Sequence, residues 1–137
     1  RLLLDVLRGD HDDKAALRGP LPCLGEMPAL IERARAGGQD VTFTVTGEPR
    51  PLPASTGLSA YRIVQEVLAN AAGATAHVTV ARSHYELELR VRDEGPAKRS
   101  APVVARERVR VHGGTLKAEP GAGSGFELVA VLPLSSS

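Results

Sequence analysis

The chain has no tryptophan, two tyrosines, two phenylalanines and one cysteine. A lone thiol, Cys23, cannot form an internal bridge, so no disulfide framework staples this protein, and a reducing, cytoplasmic setting fits it. So few aromatics leave no row of stacking platforms for single-stranded nucleic acid. Neither sign of charge is in excess. Against 17 Lys and Arg stand 16 Asp and Glu, for a net +1 with the histidines neutral. That balance gives no electrostatic footprint for nucleic acid or a membrane surface. No apolar run approaches the roughly 20 residues of a spanning helix. His11, His77, His84 and His112 have no metal-ligand spacing with Cys23 or with one another. No Ser-His-Asp or Cys-His grouping can be argued either. What is present, 137 residues at 42% apolar composition, suits one globular domain with a core of its own. The chain begins at Arg1 rather than Met and reads as a fragment of something longer.

Periodicity predicts the elements. RLLLDVLR, residues 1–8, is the end of a helix stopped by Gly9, and 10–23 is a charged, Pro-bearing linker. Leu24–Ala36 is a helix with Met27, Leu30, Ile31 and Ala34 on one face and Gly37-Gly38 as its stop. Val41–Thr46 alternates as a strand, and the prolines of 47–53 cannot continue it. Ser59–Ala72 is the longest helical pattern, its apolar stripe formed by Leu58, Tyr61, Val64, Leu68 and Ala71. Ala76–Arg82 and Glu86–Asp93 form a hairpin. Val103–Val111 is helical and ends at His112-Gly113-Gly114. Thr115–Ala118 and Phe126–Leu132 flank a Gly-rich turn, and 135–137 is a polar tail. This order implies an α/β protein, a two-layer sandwich with helices on one face of a mixed sheet.

Three features could carry chemistry. Ser59, Arg62, Glu66 and Asn70 form a polar stripe at helical spacing. Glu66 and Asn70, one turn apart, could together address a hydrated Mg²⁺ or a water; the plain alternative is a solvated face with an Arg62–Glu66 pair. Asp93 falls on the apolar phase of ELELRVRD. An inward carboxylate needs donors, because burying it unpaired costs several kcal/mol, on the order of 3–5. It either caps the turn that follows or contacts a ligand, for which Gly95 leaves room. Gly121, Gly123 and Gly125 make a loop that could approach a nucleotide or simply join two strands.

In succession these pieces resemble one family. AYRIVQEVLANA, residues 60–71, resembles the N-box of bacterial sensor histidine kinases that pair with LuxR/NarL-type response regulators. Asp93-Glu94-Gly95 is similar to the first glycine box of that family. RERVRVHGGTL, residues 106–116, resembles the helix and strand after the ATP lid, and Gly123-Ser124-Gly125-Phe126 to Pro133 the last glycine box and closing strand. The resemblance implies a Bergerat-type ATP-binding catalytic domain over 24–134, preceded at 1–9 by the end of a dimerisation and phosphoacceptor helix. It implies that Glu66 polarises the attacking group and that Asn70 binds Mg²⁺. Asp93 would accept from the adenine amino group, with Gly95 giving the base room and Gly123 and Gly125 flanking the nucleotide. The implied reaction moves the γ-phosphoryl of ATP to a histidine of the adjacent domain in a phosphorelay. His11 is a poor candidate for that histidine. The implied partners are ATP, a LuxR/NarL-type regulator and a second copy joined through the dimerisation domain, with the full-length protein at the inner face of a membrane. An anti-sigma-factor serine kinase has the same fold, but the amino-terminal helix end and linker favour the histidine kinase.

Two connections are shorter than the family's. Asn70 runs through Ala71-Ala72 into Gly73, where a basic residue and His-Ala are usual. Ala97 stands where a second glycine is usual, and no glycine lies between Gly95 and Gly113. A triphosphate cradle draws on closely approached backbone N–H groups, hence on glycine. We expect the polypeptide to be interrupted at both places; a degenerate, non-catalytic member is the other outcome.

Overall fold

A computed structural model describes residues 22–47, 52–97, 99, 101–121 and 125–134. The expected helix end at 1–8, His11, most of the linker, Gly123 and the tail lie outside the described residues. The described chain contains α1 (Pro22–Ala36), β1 (Val41–Gly47), α2 (Ala54–Asn70), β2 (Ala76–Arg82), β3 (Glu86–Asp93), α3 (Val103–His112), β4 (Thr115–Pro120) and β5 (Phe126–Pro133). The sheet order is β1-β2-β3-β5-β4. β1 runs parallel to β2, and every other pair is antiparallel.

Alternation decides which face the helices cover. Val78, Val80, Leu87, Leu89, Val91, Leu128, Ala130 and Leu132 are buried. Met27, Leu30 and Ile31 of α1 and Ile63, Val64, Val67 and Leu68 of α2 complete that core. The other strand phase meets solvent with polar groups. Thr42 pairs with His77 at 2.8 Å, and Arg90 donates to Glu127 at 3.1 Å. The expected two-layer α/β sandwich is therefore present.

Some boundaries differ from expectation. α1 begins at Pro22, a residue whose fixed φ suits the start of a helix. α2 begins at Ala54, directly after Pro53. Its stretch through Gly57 is a poor helix former by propensity, but Thr56 and Gly57 are buried there, and tertiary packing overrides the propensity. Leu58 leaves the apolar stripe assigned to it and is 38% exposed.

No interruption follows Asn70. The Ala71 N–H donates to the Val67 carbonyl at 3.0 Å, that of Ala72 to Ala69 at 3.2 Å, and that of Ala74 to Ala71 at 3.1 Å. Ala72 and Gly73 take left-handed backbone, φ 56° and 84°. The turn thus closes on its own hydrogen bonds, at a cost of about 1–2 kcal/mol for a left-handed alanine. The second place, 95–104, includes Lys98 and Ser100, which lie outside the described residues.

Candidate functional site

The polar stripe of α2 is divided: Arg62 is exposed, whereas Ser59 and Glu66 form a seam on which α3 lies. The Glu66 carboxylate accepts the Val104 N–H on Oε2 at 3.0 Å and the Ala105 N–H on Oε1 at 2.8 Å. About two turns away along the same stripe, the Ser59 hydroxyl meets His112 Nε2 at 2.9 Å. Ser59 is only 1% exposed. The two helices are therefore antiparallel, with α2 gripping α3 at both ends. Sequence explains why. α3 starts after Pro102 with no side-chain cap of its own and no acidic residue in its first turn. Its first N–H groups must find acceptors elsewhere, and a carboxylate at a helix N-terminus also meets the positive end of the macrodipole. The expected Arg62–Glu66 pair does not form; Arg62 instead donates to Gln65 Oε1 at 3.1 Å. Asn70 is half-buried at the last residue of α2, one turn beyond Glu66.

Asp93 closes β3 on the inward phase and is 2% exposed, between Ala76 of β2 and Phe126 of β5 in register. Its Oδ1 accepts the Gly95 N–H at 2.8 Å, the turn-capping role open to it. It also holds a cation. Arg99 forks onto the carboxylate, Nη2 to Oδ1 at 2.6 Å and Nη1 to Oδ2 at 3.1 Å. The Arg99 Nε donates to the Pro96 carbonyl at 2.8 Å. The guanidinium carbon stands 4.3 Å from the centre of the Phe126 ring. The two side chains are 6% and 0% exposed, Arg99 and Asp93 respectively. This is a buried, bidentate, stacked ion pair.

The glycines of the site serve backbone contacts. A Cβ on Gly95 would lie 2.7 Å from the Ala71 carbonyl oxygen and 3.0 Å from Arg99 Nη2. The room expected there for a base is filled by the chain's own atoms. Gly125 has φ 86°, and a Cβ on it would lie 2.2 Å from the Asp93 carbonyl oxygen. Gly125 thus lets the start of β5 pass directly over the end of β3. Gly123 lies outside the described residues. Among the described residues no group of three or more His, Cys, Asp or Glu could hold a metal ion, and no helix is long and apolar enough to cross a membrane.

Arg99 went unread in the sequence. Its signal was indirect: Asp93 needed a partner, and the segment after it carries Lys98 and Arg99 with nothing to choose between them. The capping role of Glu66 was likewise readable only as a missing cap at Pro102.

No protein-family model matches the chain, and no curated protein matches it. Solved structures do. The mycobacterial sensor histidine kinase MprB is similar at a TM-score of 0.59 and 25% identity, over 81% of this chain and 93% of the other. The histidine kinase domain of the Erythrobacter litoralis EL346 blue-light activated histidine kinase is similar at 0.60 and 18% identity, over 93% of this chain and 76% of the other. The nucleotide-free catalytic domain of histidine kinase ThkA is similar at 0.59 and 12% identity, over 82% and 90%. The α/β fold, a five-stranded mixed sheet with three helices among the described residues, is that of histidine kinase catalytic domains.

Proposed function

We propose that this chain, whose fold is that of histidine kinase catalytic domains, is the ATP-binding catalytic domain of a sensor histidine kinase of the LuxR/NarL-pairing class. The observation that carries the reading is Asp93. Its inward carboxylate, beside the Phe126 ring, already engages a planar donor. An adenine presents the same chemistry, an in-plane amino donor on a π-face, so the base end of the site fits ATP.

In this reading Asp93 accepts from the adenine amino group and Phe126 borders the base. Asn70, at the open end of α2, holds the Mg²⁺ that accompanies the phosphates. Glu66 orients and polarises the histidine of a neighbouring dimerisation domain, once it gives up the N–H groups of Val104 and Ala105. ATP supplies the transferred γ-phosphoryl, and the protein's task is positioning and charge stabilisation. A second copy, joined through the dimerisation domain, and a LuxR/NarL-type response regulator are the partners, with the full-length protein at the inner face of a membrane.

Two observations favour a second reading, in which the domain binds nucleotide or a partner without transferring phosphoryl. Both Glu66 oxygens are engaged by α3. No glycine lies between Gly95 and Gly113 to bring backbone N–H groups against phosphates. Calorimetric titration with Mg·ATP, followed by autophosphorylation of the full-length chain, separates the two. Binding with transfer supports the kinase, binding without transfer supports the second reading, and no binding by wild type or by a variant freed of Arg99 rejects the kinase and leaves only a partner-binding module.

A further inference from the structure

We propose that Arg99 is an internal competitor for the base subsite: its guanidinium holds the place at Asp93 that a planar, amino-bearing base takes, and nucleotide enters by displacing it. The inference rests on the nucleotide-binding reading above and adds a residue that sets its affinity. A guanidinium and the amino edge of adenine offer a carboxylate the same thing, sp² N–H donors in the plane of a π-system. Arg99 uses every part of that likeness. Its two Nη atoms fork onto Asp93 at 2.6 and 3.1 Å, and its face lies 4.3 Å from the Phe126 centroid. Its Nη2 stands 3.0 Å from where a Cβ on Gly95 would be, against the glycine expected to give a base room. The pair is shielded from water, with side chains 6% and 0% exposed. A base cannot reach the Asp93 oxygens while both are engaged.

Arg99 is six positions along the chain from Asp93, so it acts as a tethered ligand at high effective concentration. Apparent nucleotide affinity is then the intrinsic affinity scaled by the small fraction of molecules in which Arg99 is out. A merely structural ion pair would make the opposite forecast, since removing it would leave binding unchanged or weaker.

The test is calorimetry of Mg·ATP and of adenosine on wild type, Arg99→Ala and Arg99→Met, with thermal melts to show that each is folded. Methionine keeps the reach over Phe126 without the donors. Arg99→Lys, which keeps the charge but cannot fork, gives a partial release should both apolar variants unfold. Both ligands should bind the apolar variants roughly tenfold tighter or more, the size of a charge-assisted hydrogen bond regained. Methylguanidinium at non-denaturing concentration should compete with ATP on those variants far better than on wild type. Unchanged or weaker binding in folded variants overturns the inference while leaving nucleotide binding intact. A gain for ATP without one for adenosine also overturns it, by locating Arg99 at the phosphates. If wild type and all variants bind neither ligand, the nucleotide reading itself falls, and the inference with it.

Discussion

Asp93 and Glu66 are both acids whose oxygens are engaged, and they differ in what engages them. Asp93 meets a buried cation, so Asp93→Asn strands the Arg99 guanidinium. That loss should cost about 3–5 kcal/mol in urea denaturation. Pairing it with Arg99→Met should recover much of the cost, because neither charge is then left alone. Compared with Arg99→Met, the double variant should bind ATP roughly ten- to a hundredfold more weakly if the carboxylate meets adenine. Equal affinity would remove Asp93 from the base subsite. Glu66 meets only backbone N–H groups. Glu66→Gln keeps one acceptor and loses the charge, for about 1 kcal/mol of stability and faster amide exchange at Val104 and Ala105. Under the kinase reading it also slows autophosphorylation, and an unchanged rate would leave Glu66 a cap alone. The inward phase of Asp93 was legible because ELELRVRD alternates without a slip. What it touches was not, because the choice between Lys98 and Arg99 depends on which one the turn at Pro96 brings back over Phe126.

The elements themselves followed the two periodicities closely where packing and pattern agree. The β2–β3 hairpin keeps its expected bounds, and α1 buries Met27, Leu30 and Ile31 as its spacing requires. The miss lies on α2. Ser59 and Glu66 share a line on the helix, but polarity alone cannot say whether such a line meets water or another helix. It meets α3, whose missing local cap makes the polar seam necessary. The Ser59–His112 contact at the other end of the seam is testable by a double-mutant cycle with Ser59→Ala and His112→Ala. A coupling of about 1 kcal/mol is expected for a half-buried hydrogen bond. Additive effects would mean that the C-terminal end of α3 is held by packing alone. The turn after Asn70 shows the limit of reasoning from a family pattern. Ala71-Ala72-Gly73 is short by comparison, yet its own N–H and carbonyl groups close it.

At the scale of the whole molecule, one apolar layer lies between α1, α2 and the sheet, so the domain should melt in a single transition. Saturating Mg·ATP should raise its midpoint by several degrees, since ligand at about 100 times Kd contributes about 2.7 kcal/mol. An unmoved midpoint in wild type beside a raised one in Arg99→Met would be the signature of a site occupied from within. The topology also orders events in time. β2–β3 and β4–β5 are neighbours in sequence and can close as hairpins within about 1–10 μs. β1 is different. It is parallel to β2, its only sheet neighbour among the described residues, with the whole of α2 between them. A parallel partner cannot be reached by a tight turn, so β1 waits for the crossover helix and a long loop closure. In refolding followed by pulse-labelled amide exchange, the edge of the sheet should therefore zip last, with Thr44 protected after Thr79 and Leu89.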